Sequence, residues 1–571
     1  MEKSSIKIYY NFFKLIETLV DYLDDDNDKV DFIEKAYLYF VFKHPGIFFS
    51  RKFETELLKI ASKIEVSFSN EYIKDSFLHI LTEPYLWGGH TRVVERWIKH
   101  SPAWTKHSVV ITESNFDVAE VLFTNIVQEK GGELIFLKEG NYIYKAKMLR
   151  EIASKYEYII LHVHMHDAVP MLAFGNVNFK RPVVVYNHSQ HTLWLGALIT
   201  DLLLETTSSI MEFSKRRRCI RVNEYVGIPC ENIIDNTKGI FNKNDLKIQL
   251  GFPINYKILL SIGSDYKYNG LDFYNYVKEI LDATTDTIFI IIGLSPFGIW
   301  EILKNQYNDR LYLLGYIENK NIYQYYQIAD LYIDSFPVPG GTAFIDAIFH
   351  KINAITLDSN YFDVDIKKYF IISKNKLLNR TIELLQCDSF IFEDVYNELL
   401  KLTPDNWALN VYNIIKNKTH KLCKNYNCTE EKSINNNYFE EYDLYWHDQT
   451  MKYIYHDNIN IFENFIYKNE KFKIIFEYYI TKIINKDFFE IYHSLKQLEH
   501  TRGELEHTRG ELEHTRGELE HTRGELNAVY NSKKWRIAVK LEKIARKTGL
   551  IYVVKGMLGV YFFVKKLLKG R

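Results

Sequence analysis

Cysteine is scarce in this chain: five residues in 571 (Cys219, Cys230, Cys387, Cys423 and Cys428), odd in number and widely scattered. That spacing indicates neither a disulfide framework nor a zinc site, and a reducing compartment is the simplest expectation. Long apolar runs are missing as well. No segment reaches the about 18 consecutive apolar residues of a membrane-spanning helix. Met1 to Lys7 lacks the basic start, apolar run and small-residue cleavage site of an export signal. A charge excess of one sign is absent: 72 Lys and Arg face 73 Asp and Glu, and a formal net charge of -1 argues against nucleic acid as a partner. A cytoplasmic protein is expected.

What is present is a large apolar complement, 47% of the residues, enough to bury several cores. Residues 1–72 show helical periodicity and read as a helical lead-in. From there short apolar strands alternate with helices: Phe77–Leu81, Ser108–Thr112, Glu133–Leu137, Tyr158–Val163, Pro182–Tyr186 and Leu202–Thr206. A second series comprises Lys257–Ile262, Thr287–Ile292, Arg310–Leu314, Asp330–Ile333 and Asn353–Leu357. Strict alternation of strand and helix predicts α/β architecture with parallel, doubly wound sheets, and hence two tandem Rossmann-like domains, at 73–226 and 227–425. The boundary is expected at Val226-Gly227-Ile228-Pro229, where Gly and Pro interrupt the strand pattern. Helical segments at Leu377–Leu385 and Trp407–Ile415 are expected to return and brace the first domain. An Asn/Tyr-rich helical linker follows at 426–497.

The stretch Ser335 to Ala347 (SFPVPGGTAFIDA) joins an apolar strand to an apolar helix. Its Gly340-Gly341-Thr342 turn would aim backbone N–H groups and the positive helix end at an anion such as a diphosphate. Asp346, one helical turn beyond Thr342, shares its face and could accept hydrogen bonds from ribose hydroxyls. This string resembles the C-terminal half of GT-B glycosyltransferases, within them the branch similar to O-GlcNAc transferases and bacterial cytoplasmic N-glycosyltransferases. The resemblance covers residues 76 to 370. A Glu-x7-Glu motif is not matched, since Val338 stands eight residues before Asp346. The resemblance implies a nucleoside-diphosphate-sugar donor, no cofactor, no metal, and the ribose at Asp346. In Ser261 to Tyr268, at the end of the second domain's first strand, Ser264 and Lys267 are the further donor-binding candidates, Lys267 being suited to neutralise the leaving diphosphate.

In the first domain, the loop Pro84 to Arg92 carries Gly88, Gly89 and His90 ahead of a helix with Val93, Val94 and Trp97 on its buried side. The glycines permit close backbone approach to a ligand. The resemblance implies a general-base role for His90 beside the glycosyl acceptor, the alternative being a histidine that merely caps its helix. Tyr186-Asn187-His188-Ser189-Gln190-His191 resembles an Asn-His-x-x-His segment of some GT-B enzymes and offers His188 as a second catalytic candidate and His191 as a cleft residue, with Asn187 and Gln190 available to sugar hydroxyls. His162, His164 and His166 alternate along one strand; that spacing can bind a metal, but no fourth ligand is apparent, so His166 and Asp167 are taken as cleft candidates and the rest as strand packing.

From Leu498 to Leu526 a heptad Leu-Glu-His-Thr-Arg-Gly-Glu repeats nearly unchanged. With Leu at a and Thr at d, it reads as a weak coiled coil supporting a homo-oligomer, or as a spacer; the glycine in each heptad costs about 1 kcal/mol relative to alanine. Residues 527–571 are basic and amphipathic, with Lys533, Lys534, Arg536 and Lys540 around Trp535 and Ile537. Such a tail, chiefly 531–571, suits an anionic membrane surface rather than a span. Together these features predict a glycosyltransferase acting on a cell-surface glycan precursor or protein acceptor at the cytoplasmic membrane face. A nucleotide-sugar epimerase of the same fold, or a catalytically silent glycan-binding partner, are the alternatives.

Overall fold

In the computed structural model, the described residues are 3–65, 71–86, 89–190, 192–208, 210–230, 242–268, 271–336, 339–357, 370–387 and 389–420. The heptads, the basic tail and the linker before them lie outside these residues. So do Gly88 and His191.

Two parallel sheets organise the chain. The first holds β1 (Ile73–Leu81), β2 (Lys106–Ile111), β3 (Leu134–Phe136), β4 (Tyr156–His162), β5 (Val183–Tyr186), β6 (Leu202–Glu205) and β7 (Asn223–Tyr225), in the order β3-β2-β1-β4-β5-β6-β7. The second holds β8 (Lys257–Ile262), β9 (Thr287–Ile292), β10 (Leu311–Leu313), β11 (Leu331–Ile333), β12 (Asn353–Leu357) and β13 (Ile371–Ile372), in the order β10-β9-β8-β11-β12-β13. Each order reverses once beside its first strand, and at such a switch point the strand ends leave a crevice for ligands. Two strands are absent from the sequence reading, β7 and β13. Both are short edge strands whose residues alternate too little to register as a period.

The strands are nearly continuous apolar runs because helices cover both faces. Residues Ile258, Leu260, Ile288 and Ile290 pack on one face of the second sheet, with Phe344 and Ile348 of the helix Thr342–Phe349. Leu259, Phe289 and Ile291 pack on the other. After β7 the chain crosses to the second domain through Gly227, whose φ of +70° suits glycine, and a Cβ there would meet Leu402 at 2.7 Å. The helix Pro404–Lys418 then returns to the first domain. Its Trp407 stands edge-on to Trp97 with centroids 5.3 Å apart, and Val411 and Ile415 join the same core as Phe77 and Tyr186.

The N-terminal helices, Lys3–Leu19, Asp26–Phe42 and Arg51–Lys63, are built into the first domain. Buried Arg150 donates to the carbonyls of Ala61 and Ile64 on one side and of Leu172 and Ala173 on the other. Buried Glu54 accepts from the N–H groups of Gly196, Ala197 and Leu198. A charge removed from water in this way is tolerated only with such partners. Cys230 and Cys387 are free, whereas Cys219 is disulfide-bonded, which departs from the expectation of a chain without disulfides. Among the described residues no helix is long and apolar enough to cross a membrane.

Candidate functional site

The candidate residues assemble as two groups, one per domain. In the second domain the helix Thr342–Phe349 begins at Gly341, whose surroundings are open: a Cβ there would meet nothing within 4 Å. Gly340 is held differently. Its N–H donates to Asp334 Oδ1, 2.8 Å away, and a Cβ would strike that same oxygen. Asp334 also accepts from Ser335 N–H and from the Thr356 hydroxyl, so one buried carboxylate shapes the turn. Lys267 Nζ lies 3.0 Å from the Pro339 carbonyl, which brings an ammonium beside the turn that opens the helix. Thr342 and Asp346 are partly exposed while Phe344, Ile345, Ala347 and Ile348 are buried, so the polar pair shares the outer stripe. Burial, and then the nearby Asp346 carboxylate, hold the Tyr326 hydroxyl well above its ordinary pKa. Ser264 is exposed in the loop after β8. The loops after β8 and β9 touch: a Cβ on Gly293, where φ is +92°, would lie 2.0 Å from the Gly263 carbonyl oxygen.

In the first domain His90 and His188 meet at the C-terminal rim, with ring centroids 4.1 Å apart. His90 occupies the first turn of the helix Gly89–His100. Its Nε2 is 2.7 Å from the His162 carbonyl, which can only accept, so Nε2 carries the proton and Nδ1 is the bare nitrogen of the neutral ring. Burial, with help from His164, lowers the His90 pKa to about 4, and burial followed by His90 and His162 holds His188 well below the usual range. Both are neutral near pH 7, as a base must be. His188 also lines a shallow pocket with His164, Met165, Asn187, Trp194 and Leu195.

Beneath this pair lies a row of buried imidazoles. His107 Nδ1 is 2.9 Å from His79 Nε2, His79 Nδ1 is 3.2 Å from His162 Nε2, and His162 Nδ1 is 3.0 Å from His188 Nε2. Register explains the row. His107 pairs with Phe77, two residues before His79, and Ile160 pairs with His79, two residues before His162. Each step therefore moves one strand across and two residues up the same face, where diagonal neighbours are within reach of aromatic rings. Trp97 packs edge-on to His79 and His162 from above. Sequence reading left out His79 and His107; the available signal was a histidine at an inward position of each of two apolar strands.

Several other candidates are engaged inside the domain. Asp167 is buried, accepting from the Thr82 and Thr112 hydroxyls and from Val169 N–H, so it ties the ends of β1, β2 and β4 together beneath the rim. Asn187 donates to Glu205 and Gln190 accepts from Thr207, both buried, which corrects their assignment to sugar hydroxyls. His166 is partly exposed near His164, and burial lowers its pKa to about 4. Gly89 has open space around it. No group of three or more His, Cys, Asp or Glu among the described residues is arranged to hold a metal. In the histidine row the nitrogens face one another in pairs at hydrogen-bond distance instead of converging on a point.

Two Rossmann-like domains in tandem, with a returning C-terminal helix, constitute the GT-B architecture. No family model and no curated protein matches the chain. Among solved structures it is similar to a glycosyltransferase from Rickettsia africae ESF-5 (12% identity, 62% of this chain and 100% of that one, TM-score 0.48). It is similar also to HepE of Anabaena in complex with UDP and glucose (13%, 60% and 99%, TM-score 0.44). A third match is an O-GlcNAc transferase mutant of Thermobaculum terrenum (12%, 79% and 86%, TM-score 0.39).

Proposed function

We propose that the protein transfers a sugar from a nucleoside-diphosphate sugar to a hydroxyl or amide acceptor. The observation that carries the reading is the second-domain turn: a glycine pair at a helix N-terminus, open to ligand at Gly341, with the Lys267 ammonium beside it and Asp346 one turn along. Helix dipole and ammonium both favour a diphosphate, and both gain as charge develops on the leaving group. The His90–His188 pair supplies bare imidazole nitrogens on the first domain's rim. In the reaction the glycosyl acceptor gives its proton to one of them and its heteroatom bonds to the anomeric carbon. The anomeric C–O bond breaks and its electron pair leaves on the nucleoside diphosphate. Metal independence fits an ammonium-based diphosphate site. Action at the cytoplasmic membrane face, on a glycan precursor or protein, is the part of the proposal that rests on the basic tail.

Calorimetric titration with a panel of nucleoside diphosphates and their sugars tests the reading. Asp346→Ala and Lys267→Ala should each weaken donor binding by roughly 1.5 to 3 kcal/mol, the range for a lost charge-assisted hydrogen bond. Wild-type affinity in both folded variants would remove the donor site. Interconversion of free sugar nucleotides without an acceptor would favour an epimerase, and donor binding with neither hydrolysis nor transfer would favour a silent binding protein.

A further inference from the structure

The imidazole row has a direction, and its far end sets it. The Thr105 hydroxyl is 2.7 Å from the Pro102 carbonyl oxygen and 2.9 Å from His107 Nε2. A carbonyl cannot donate, and a threonine hydroxyl has one proton, so that proton goes to Pro102 and His107 Nε2–H must donate to Thr105. A neutral imidazole that donates from Nε2 accepts at Nδ1. His107 Nδ1 therefore accepts from His79 Nε2–H, His79 Nδ1 from His162 Nε2–H, and His162 Nδ1 from His188 Nε2–H. The alternation reaches His188 with its Nδ1 bare, and among the described residues that nitrogen has no hydrogen-bond partner.

We infer that Thr105, acting through His107, His79 and His162, locks His188 in the tautomer whose unprotonated Nδ1 receives the proton of the glycosyl acceptor, which makes His188 the base of the His90–His188 pair. The inference rests on the transferase reading for the identity of the proton donor, but the lock itself does not. Thr105, His107, His79 and His162 are positioning residues. The row ends at a carbonyl, so it offers no outlet for protons and works as a lock. A proton taken by Nδ1 leaves again to water at the rim. Aligned imidazoles, each turning its acceptor nitrogen toward His188, also strengthen one another and favour positive charge there. His90 has only one amide carbonyl for the same purpose. Depressed pKa values along the row keep the rings neutral, as the alternation requires.

The test is long-range proton–nitrogen NMR on the full chain labelled with 15N histidine, with His188 assigned by the signal lost in His188→Gln. The wild type should show protonated Nε2 and bare Nδ1 at His188. In Thr105→Val, His107 Nε2–H would face a methyl group; the row should reverse, and His188 should carry its proton on Nδ1. Thr105→Ser should restore the original tautomer. If Thr105→Val does not fold, His107→Phe severs the row one ring further along and should give the same reversal. A protonated Nδ1 in the wild type, or an unchanged His188 in a folded severed variant, would overturn the lock. With a donor in hand, Thr105→Val should lower turnover by up to about 10²- to 10⁴-fold, the range for a lost general base, with the donor KM unchanged and recovery in Thr105→Ser. Full turnover with a reversed tautomer would overturn His188 as the base. Reversal as expected, in a protein that transfers no sugar at all, would count against the transferase reading and leave the lock standing.

Discussion

A neutral histidine is an asymmetric group, donor on one nitrogen and acceptor on the other, so its neighbours decide what it can do. At the rim of the first domain two such rings lie side by side, and their chemistry is assigned by what stands behind them: a main-chain carbonyl for His90, an imidazole row for His188. His188→Ala should lower turnover by about 10²- to 10⁴-fold, the usual range for a lost general base. His90→Ala should lower it less, because His90 packs against the base ring. Steady-state rates at saturating donor distinguish the two, and the reverse order would return the base role to His90. Of these residues the sequence offered His90, His188 and His162. His79 and His107 escaped because a lone histidine in an apolar strand has no partner until the sheet register supplies one.

Among the elements, the helix Pro404–Lys418 ties the C-terminal end of the described chain to the core of the first domain. Trp407 is buried against Trp97 and Tyr186, and its Nε1–H donates to the Gly227 carbonyl at the interdomain crossing. Trp407→Ala should cost about 3 to 5 kcal/mol, as large-to-small changes in tight cores do, with the thermal midpoint as the measurement; a loss under 1 kcal/mol would show that the helix is only loosely docked. The apolar spacing of Trp407–Ile415 pointed to a buried helix, but what covers that face is decided largely by first-domain residues far earlier in the chain, such as Phe77, Trp97 and Tyr186. The first-domain loop that carries His188 is likewise fixed from afar, by Glu54 on Gly196 to Leu198 and by Arg218 donating to the Thr192 and Gln190 carbonyls.

For the whole molecule, buried titratable groups of two kinds set the response of stability to pH. Burial lowers His79 to about 3 and His90, His166 and His350 to about 4, with His107, His162 and His188 also depressed. The unfolded state, titrating near 6.5, binds more protons, so their contribution is present above that pH and is lost as pH falls toward 4. Burial raises Glu54 and Glu113 to about 7 and, with Asp167, Glu34 to about 8. Their contribution is present below about 4.5 and is lost as pH rises through 7 to 8. Between 4.5 and 6.5 the two oppose, and the more numerous histidines prevail. Thermal midpoints should therefore peak near pH 6.5, fall steeply on the acid side and more gently toward pH 8; a midpoint flat between pH 6.5 and 4 would contradict the burial of neutral histidines. A separate expectation concerns the basic segment: deleting 531–571 should abolish co-sedimentation with anionic vesicles and leave transfer to a small soluble acceptor intact, and unchanged vesicle binding would dismiss the tail as an anchor.

By itself the sequence determined the alternation of strands and helices, the division into two α/β domains and the glycine turn before Thr342, because periodicity and turn chemistry are local and a few residues suffice to express them. It could not separate Asn187, Gln190 and Asp167, which hydrogen-bond inside the domain, from His188 beside them, since all four follow strands in the same way. Only the tertiary structure decided that, and only the pairing of β2, β1, β4 and β5 aligned four distant histidines into one row. The direction of that row comes from a single hydroxyl at Thr105, which has one proton to give and a carbonyl at Pro102 to receive it.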